Sequence, residues 1–259
     1  MSDISNILNK IQKINNSKEI ILPSSGEKIS LKQITIKQQK DIKDLPKNIT
    51  LTLVNLNKVI NEIIRTNGNL PLDRISILDR PLLLFVLKSQ ISETYDGIKV
   101  SDLIDNALKV KYDIAPFTSK TTNFIFEINT PTLKRDNEIN KYILKNFDSQ
   151  SVSVQDENEL QISASKTYNN MITSEICKFI TDVRLLEKEE EIQTNWNKLS
   201  VDQQIRLLEE IPASEVKDIV DYIEKVRNKE MECFTYKATD DKGNQIEKTI
   251  EITFEFFNL

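Results

Sequence analysis

The two cysteines, Cys177 and Cys233, are the strongest nucleophiles on offer, and neither has a histidine to activate it, because none of the 259 residues is histidine. Histidine titrates nearest neutral pH and is the usual general base and a common metal ligand. The cysteines stand far apart and form no CxxC pair, so both are expected as buried, reduced thiols rather than a disulfide or a metal site. Carboxylates are abundant without forming a recognisable acid–base pair. Asp240-Asp241 falls in a turn, where aspartate is favoured for its own local hydrogen bonds. Asp156-Glu157-Asn158-Glu159 lacks the glycine and the spacing of an EF-hand loop. The four glycines, Gly26, Gly68, Gly97 and Gly243, are isolated from one another. Phosphate-cradling loops need them clustered, so that the backbone can approach an anion closely. The residues therefore predict no catalytic group, no cofactor and no metal. A hydrolase would need an unusual lysine- or aspartate-based arrangement, and nothing marks one. The expected work is protein–protein contact.

Charge and hydropathy narrow the partners. Acidic residues number 40 against 35 basic, for a formal net charge of -5, and the two signs are interspersed. No strong field would draw in nucleic acid or an anionic membrane. The longest apolar run, Pro81 to Leu87, falls well short of the roughly 20 residues that cross a bilayer. It has the length of a buried helix segment. Met1-Ser2-Asp3-Ile4 shows no basic region leading into an apolar one, so no signal peptide is expected.

The periodicities predict a mixture of helices and hairpins. Ile4, Ile7, Leu8, Ile11 and Ile14 have helical spacing on a short segment that needs a docking surface, on this protein or on a partner. Glu19–Leu22 and Lys28–Leu31 flank Pro23-Ser24-Ser25-Gly26 and read as a β-hairpin. Thr35–Lys43 reads as a short polar helix. Asn48–Thr66 reads as an amphipathic helix with Ile49, Leu53, Leu56, Ile60 and Ile63 on one face, closed by Asn67-Gly68 with glycine in the left-handed position. A helix capped by Asp79, with Pro81 in its first turn, is apolar nearly all round and belongs at the centre of a core.

Leu108, Val110, Tyr112 and Ile114 alternate with polar residues, as do Phe124, Phe126 and Ile128, which predicts a second hairpin with its loop over 118–122. Asn137–Phe147 reads as helical, and 151–161 as a loop or short strand. Tyr168, Ile172, Ile176, Phe179, Val183 and Leu186 predict one long helix over 165–191 whose acidic end opposes the helix dipole. Ser200-Val201-Asp202-Gln203 is a capping box. Beyond Pro212, Ser214–Asn228 completes a helical hairpin, and Met231–Thr239 with Gln245–Phe257 predict a last β-hairpin. The fold class is α+β: a helical core with several β-hairpins, one N-terminal and one C-terminal. The expected division is a docking segment over 1–16, an α+β domain over 17–148, and a helical segment with a β-hairpin over 149–259.

Leu22-Pro23-Ser24-Ser25-Gly26-Glu27-Lys28-Ile29, followed by Ile34-Thr35-Ile36-Lys37-Gln38-Gln39-Lys40, resembles the opening of the T4-type bacteriophage baseplate hub protein family. The similarity continues through the amphipathic helix and Leu78-Asp79 into Leu83, Leu84, Leu87 and Lys88. It is more specific over the first hundred residues than beyond them, where it rests on the order of elements and on the closing Phe256-Phe257. Gln38-Gln39 replaces an acidic pair. Some members carry paired cysteines suggestive of zinc in the last hairpin. Here Cys233 stands alone there, and no zinc site carries over.

The resemblance implies a structural or assembly component of a contractile tail, in the baseplate hub or at its joint with the wedges. It would be assembled in the host cytoplasm, reside in the virion, and act as part of a larger oligomer with other baseplate proteins. The expected contact residues are Ile4, Ile7, Leu8, Ile11, Leu22, Pro23, Phe257 and Leu259, although the terminal phenylalanines fit the protein's own core equally well. A tail assembly chaperone absent from the virion, or a soluble regulatory adaptor, is the alternative.

Overall fold

The computed structural model describes residues 17–43, 49–147, 171–188, 190–239, 245–252 and 256. The class is α+β, as expected, with helices and small antiparallel sheets. The chain forms two compact units. The first takes the described residues within Met1–Ile75, Asp79–Lys111 and Glu232–Leu259; the second takes Ser76–Leu78 and those within Tyr112–Met231. These units differ from the division expected at 148/149. Phe124–Ile128 and Ile180–Glu187, on either side of that boundary, pair within one sheet.

In the first unit, β1 (Ser17–Ile21) and β2 (Lys28–Lys32) form the expected hairpin, with Ile20 opposite Ile29. The Leu22 carbonyl accepts from the Gly26 N–H at 2.8 Å, and Gly26 sits at φ +71, where a side chain would be strained. Next come α1 (Ile36–Lys43) and α2 (Ile49–Asn67). The following helix, α3 (Arg80–Ser89), is buried at every position from Arg80 to Lys88, as its all-round apolar character requires. Phe85 holds Phe234 and Phe256 with ring centroids 5.9 and 6.1 Å away.

A hairpin not anticipated from the sequence joins β3 (Thr94–Tyr95) to β4 (Ile98–Lys99) through Asp96 and Gly97, both at positive φ. Asp-Gly is a strong signal for that tight turn. It leads into α4 (Val100–Lys109), so Leu108 lies in a helix and not in a strand. Much later in the chain, β9 (Thr235–Thr239) pairs with β10 (Gln245–Thr249). The turn between them lies outside the described residues. The strand expected to run on to Phe257 ends at Thr249, since residues 250–252 lie outside any strand, and Phe256 is fully buried.

Two local expectations are corrected here. Gly68 is not among the residues at positive φ. A Cβ added there would stand 2.8 Å from the Ile64 carbonyl oxygen and 3.1 Å from Ile29 Cδ1, so close approach, not handedness, demands glycine. Asp79 occupies the position before α3 without capping it. Its carboxylate instead accepts from the Ser24 N–H at 3.1 Å and from the Ser24 hydroxyl. The fully buried aspartate thus ties the tip of the first hairpin to the start of the central helix.

The second unit is built on a four-stranded antiparallel sheet in the order β5 (Phe117–Lys120), β6 (Phe124–Ile128), β7 (Ile180–Glu187), β8 (Glu190–Gln193). The hairpin expected from Leu108 therefore begins nine residues later, at Phe117, with its turn after Lys120. Of the Leu108–Ile114 alternation, only Leu108 lies in α4, where it is exposed. Helix α5 (Leu133–Phe147) packs with α7 (Val201–Glu209), whose Ser200–Gln203 capping box is complete. The last helix, α8 (Lys217–Phe234), belongs to this unit as far as Met231 and runs six residues past the expected end, so Met231 is helical.

The long helix expected over 165–191 is overturned. Residues 171–179 form α6, and the chain passes at Ile180 directly into β7. Of the acidic run, Glu187 ends β7 and Glu190 and Glu191 open β8, with Lys188 at φ +50, so it is not a helix end.

Replacing Gly68 by alanine forces the Ile64 carbonyl or the Ile29 side chain to move. The expected loss is about 1–3 kcal/mol of unfolding free energy, read from urea denaturation curves.

Candidate functional site

Of the expected contact residues, Ile4, Ile7, Leu8, Ile11, Phe257 and Leu259 lie outside the described residues. Leu22 is corrected. It has no exposed surface, because the hairpin turns its side chain into the core of the first unit. Pro23 is half-buried beside it. The exposed large apolar side chains nearby are Ile21, 59% exposed at the end of β1, and Ile36, 75% exposed at the start of α1. Helical or strand periodicity alone does not single these out, since each sits at the end of its element.

The densest polar chemistry lies at the junction of α6 and β7. A helix leaves its last carbonyls without helical donors. With no loop between helix and strand, they must be satisfied by other parts of the chain. The Arg135 guanidinium donates to the Cys177 carbonyl at 2.9 Å, and the Asn129 N–H donates to the Phe179 carbonyl at 2.9 Å. Trp196 Nε1 donates to the Ile180 carbonyl at 3.1 Å. Gln204 joins the first and third of these groups: its Oε1 accepts from Arg135 at 2.8 Å, and its Nε2 donates to the Trp196 carbonyl at 2.9 Å. Trp196 and Gln204 are both buried.

Arg135 also reaches Cys177 Sγ, at 3.2 Å. Burial pushes the thiol up to about 11, and the nearby guanidinium only partly opposes this. The sulfur is held protonated at neutral pH, which suits packing and not nucleophilic attack. Both cysteines are buried and free, as expected.

Next to Cys177 in α6, Lys178 is 7% exposed and donates to Asp136 Oδ1 at 2.9 Å, Glu175 Oε1 at 2.5 Å and Asn140 Oδ1 at 3.1 Å. Asn140 Nδ2 in turn donates to Asp136 Oδ2 at 3.1 Å. Burial works against the ammonium, but Asp136 and Glu175 outweigh it, and the net direction is upward from 10.5. This ion cluster fastens α6 to α5. Every donor of the ammonium is used within the protein, so the cluster is a tie and leaves no proton to exchange with a substrate.

Among the described residues no group of three or more metal-ligating side chains comes together, and no helix is long and apolar enough to cross a membrane. In the first unit, Asn61 is fully buried in α2, and neither amide atom has a hydrogen-bond partner among the described residues. Comparison with protein-family models, with curated proteins and with solved structures finds no match to this chain.

Substituting Lys178→Met leaves Asp136 buried without its cation, and the expected loss is about 3–5 kcal/mol in denaturant unfolding. The double variant Lys178→Met/Asp136→Leu recovers most of that loss, because the desolvated charge is gone as well. Because the folded-state value of Lys178 lies above its ordinary 10.5, its contribution is complete below that pH and is lost as the pH climbs past it. Unfolding curves measured across the alkaline range should fall less steeply for the double variant than for the native protein. Parallel curves would remove the linkage.

Proposed function

We propose that the chain is a structural or assembly component of a contractile bacteriophage tail baseplate, at the hub or its joint with the wedges, and that it works by contact with other baseplate proteins without catalysis or a cofactor. The observation that carries this reading is the resemblance of residues 22–40 to the T4-type baseplate hub family. Those residues form a hairpin and a following helix in the structure, so the likeness falls on folded elements. Ile21 and Ile36, two of the most exposed large apolar side chains among the described residues, lie just before and within the same stretch. Burying a side chain of that size at an interface contributes about 1.5–3 kcal/mol. The ionisable groups described above fit the same reading, since buried Lys178 and Asp79 and half-buried Arg135 hold other parts of the chain in place.

Mass spectrometry of purified virions tests the assignment. The expected result is peptide signal in fixed proportion to the other baseplate proteins. Deleting residues 1–16 is expected to leave a folded protein that no longer enters baseplates. Normal incorporation of that truncated chain would rule the segment out as a contact arm. Signal on assembly intermediates alone would assign the protein to the chaperone class, and absence from both would refute the tail reading.

A further inference from the structure

The two edges of the four-stranded sheet are unlike. At β5, Ser119 donates to Asp218 Oδ2 at 2.9 Å, and the Phe117 ring lies 5.6 Å from that of Tyr222, so side chains of α8 engage that edge. At β8 all four residues, Glu190 to Gln193, are exposed, and the strand pairs with β7 alone among the described residues. An edge of that kind presents a row of backbone donors and acceptors ready to pair with another strand.

The side chains around this edge specify what would pair with it. Phe124 stands opposite Leu185, and Leu185 opposite Ile192, so the three form one apolar row across β6, β7 and β8. The row lies on the face that carries Phe126 and Val183, both fully buried. It stops at Ile192, which is 43% exposed. Two positions away on the same face, Glu190 stands directly opposite Glu187. Like charges opposed in a ladder repel. Neither has an ion-pair partner among the described residues, whereas Glu191, on the other face, accepts from Arg184 at 2.7 Å. On the side away from Leu185 Ile192 thus lacks an apolar neighbour, and Glu190 lacks a cation.

We propose that the β8 edge accepts an extended segment of a partner protein, by backbone pairing, with an apolar residue opposite Ile192 and a lysine or arginine two positions away opposite Glu190. A second copy of β8 fits poorly, since pairing it against itself brings further glutamates to the Glu187–Glu190 pair. The inference rests on the sheet and its charges and does not need the tail-baseplate reading; failure of either leaves the other standing.

The test is fluorescence anisotropy with the full chain and a short fluorescein-labelled peptide in which Thr-Lys-Thr-Val repeats. The expected result is saturable binding, weakened roughly three- to tenfold by Ile192→Lys and by Glu190→Lys. Because both residues are exposed, the variants should melt at the native temperature by circular dichroism. Two further peptides are N-methylated, one on the threonine amides and one on the lysine and valine amides. Strand pairing uses one set of amides and leaves the other in solvent, so one methylated peptide should lose binding and the other keep it. No saturable binding below about 1 mM would overturn the proposal. So would equal binding of both methylated peptides or insensitivity to Ile192→Lys. A concentration-dependent dimer in sedimentation, broken by Ile192→Lys, would give the edge to a second copy and overturn the choice of partner.

Discussion

A helix that becomes a strand with no loop between them must find outside donors for the carbonyls at its end, and the second unit is organised around that requirement at residues 177–180. Arg135 comes from α5, Asn129 from the end of β6, and Trp196 from the segment before α7. Two separate stretches of chain, one carrying Asn129 and Arg135 and the other Trp196, thus converge on one short piece of backbone. Leaving any of these carbonyls buried and unpaired would cost about 1–3 kcal/mol. The requirement fixes the start of β7, and β7 then fixes the registers of β6 on one side and β8 on the other. The position of Ile192 at the sheet edge follows from it.

The buried charges obey the same logic of satisfied groups. Lys178 is tolerated in the interior because two carboxylates and an amide surround its ammonium. In the first unit, Asp79 is tolerated because both of its oxygens accept from Ser24. In each case a polar side chain holds together elements that apolar packing alone would leave free to slide. Lys88 does the corresponding job with aromatic partners, its ammonium lying 5.5 Å from the centre of the Tyr95 ring and 5.7 Å from that of Phe256.

What could be read from the sequence was what local physics decides. The Ser200–Gln203 capping box, the all-round apolar character of α3 and the Pro23–Gly26 turn each depend on a few adjacent residues, and each is found as expected. The failures lie where distant partners decide. Ile172, Ile176, Phe179, Val183 and Leu186 fit a helical stripe, yet from Ile180 onward pairing with β6, over fifty residues away, outweighs that spacing. Gly68 and Asp79 were placed correctly at element boundaries, but their roles are set by Ile29 and Ser24, which no local pattern links to them. The β8 edge was unreadable for the same reason. Glu190-Glu191-Ile192-Gln193 has little strand character of its own and is a strand because Arg184–Glu187 lies alongside.

The first unit draws on residues far apart in the chain: Phe85 packs against Phe234 and Phe256, and the Ile250 N–H donates to the Phe234 carbonyl at 2.8 Å. The second unit is nearly continuous, from Tyr112 to Met231 with a three-residue addition. As the ribosome advances, the inserted unit is complete before the one that surrounds it in sequence. The hairpin and helices made first must wait, with part of their apolar surface uncovered, for the last stretch to emerge. That interval is when the nascent polypeptide is most exposed to misassociation.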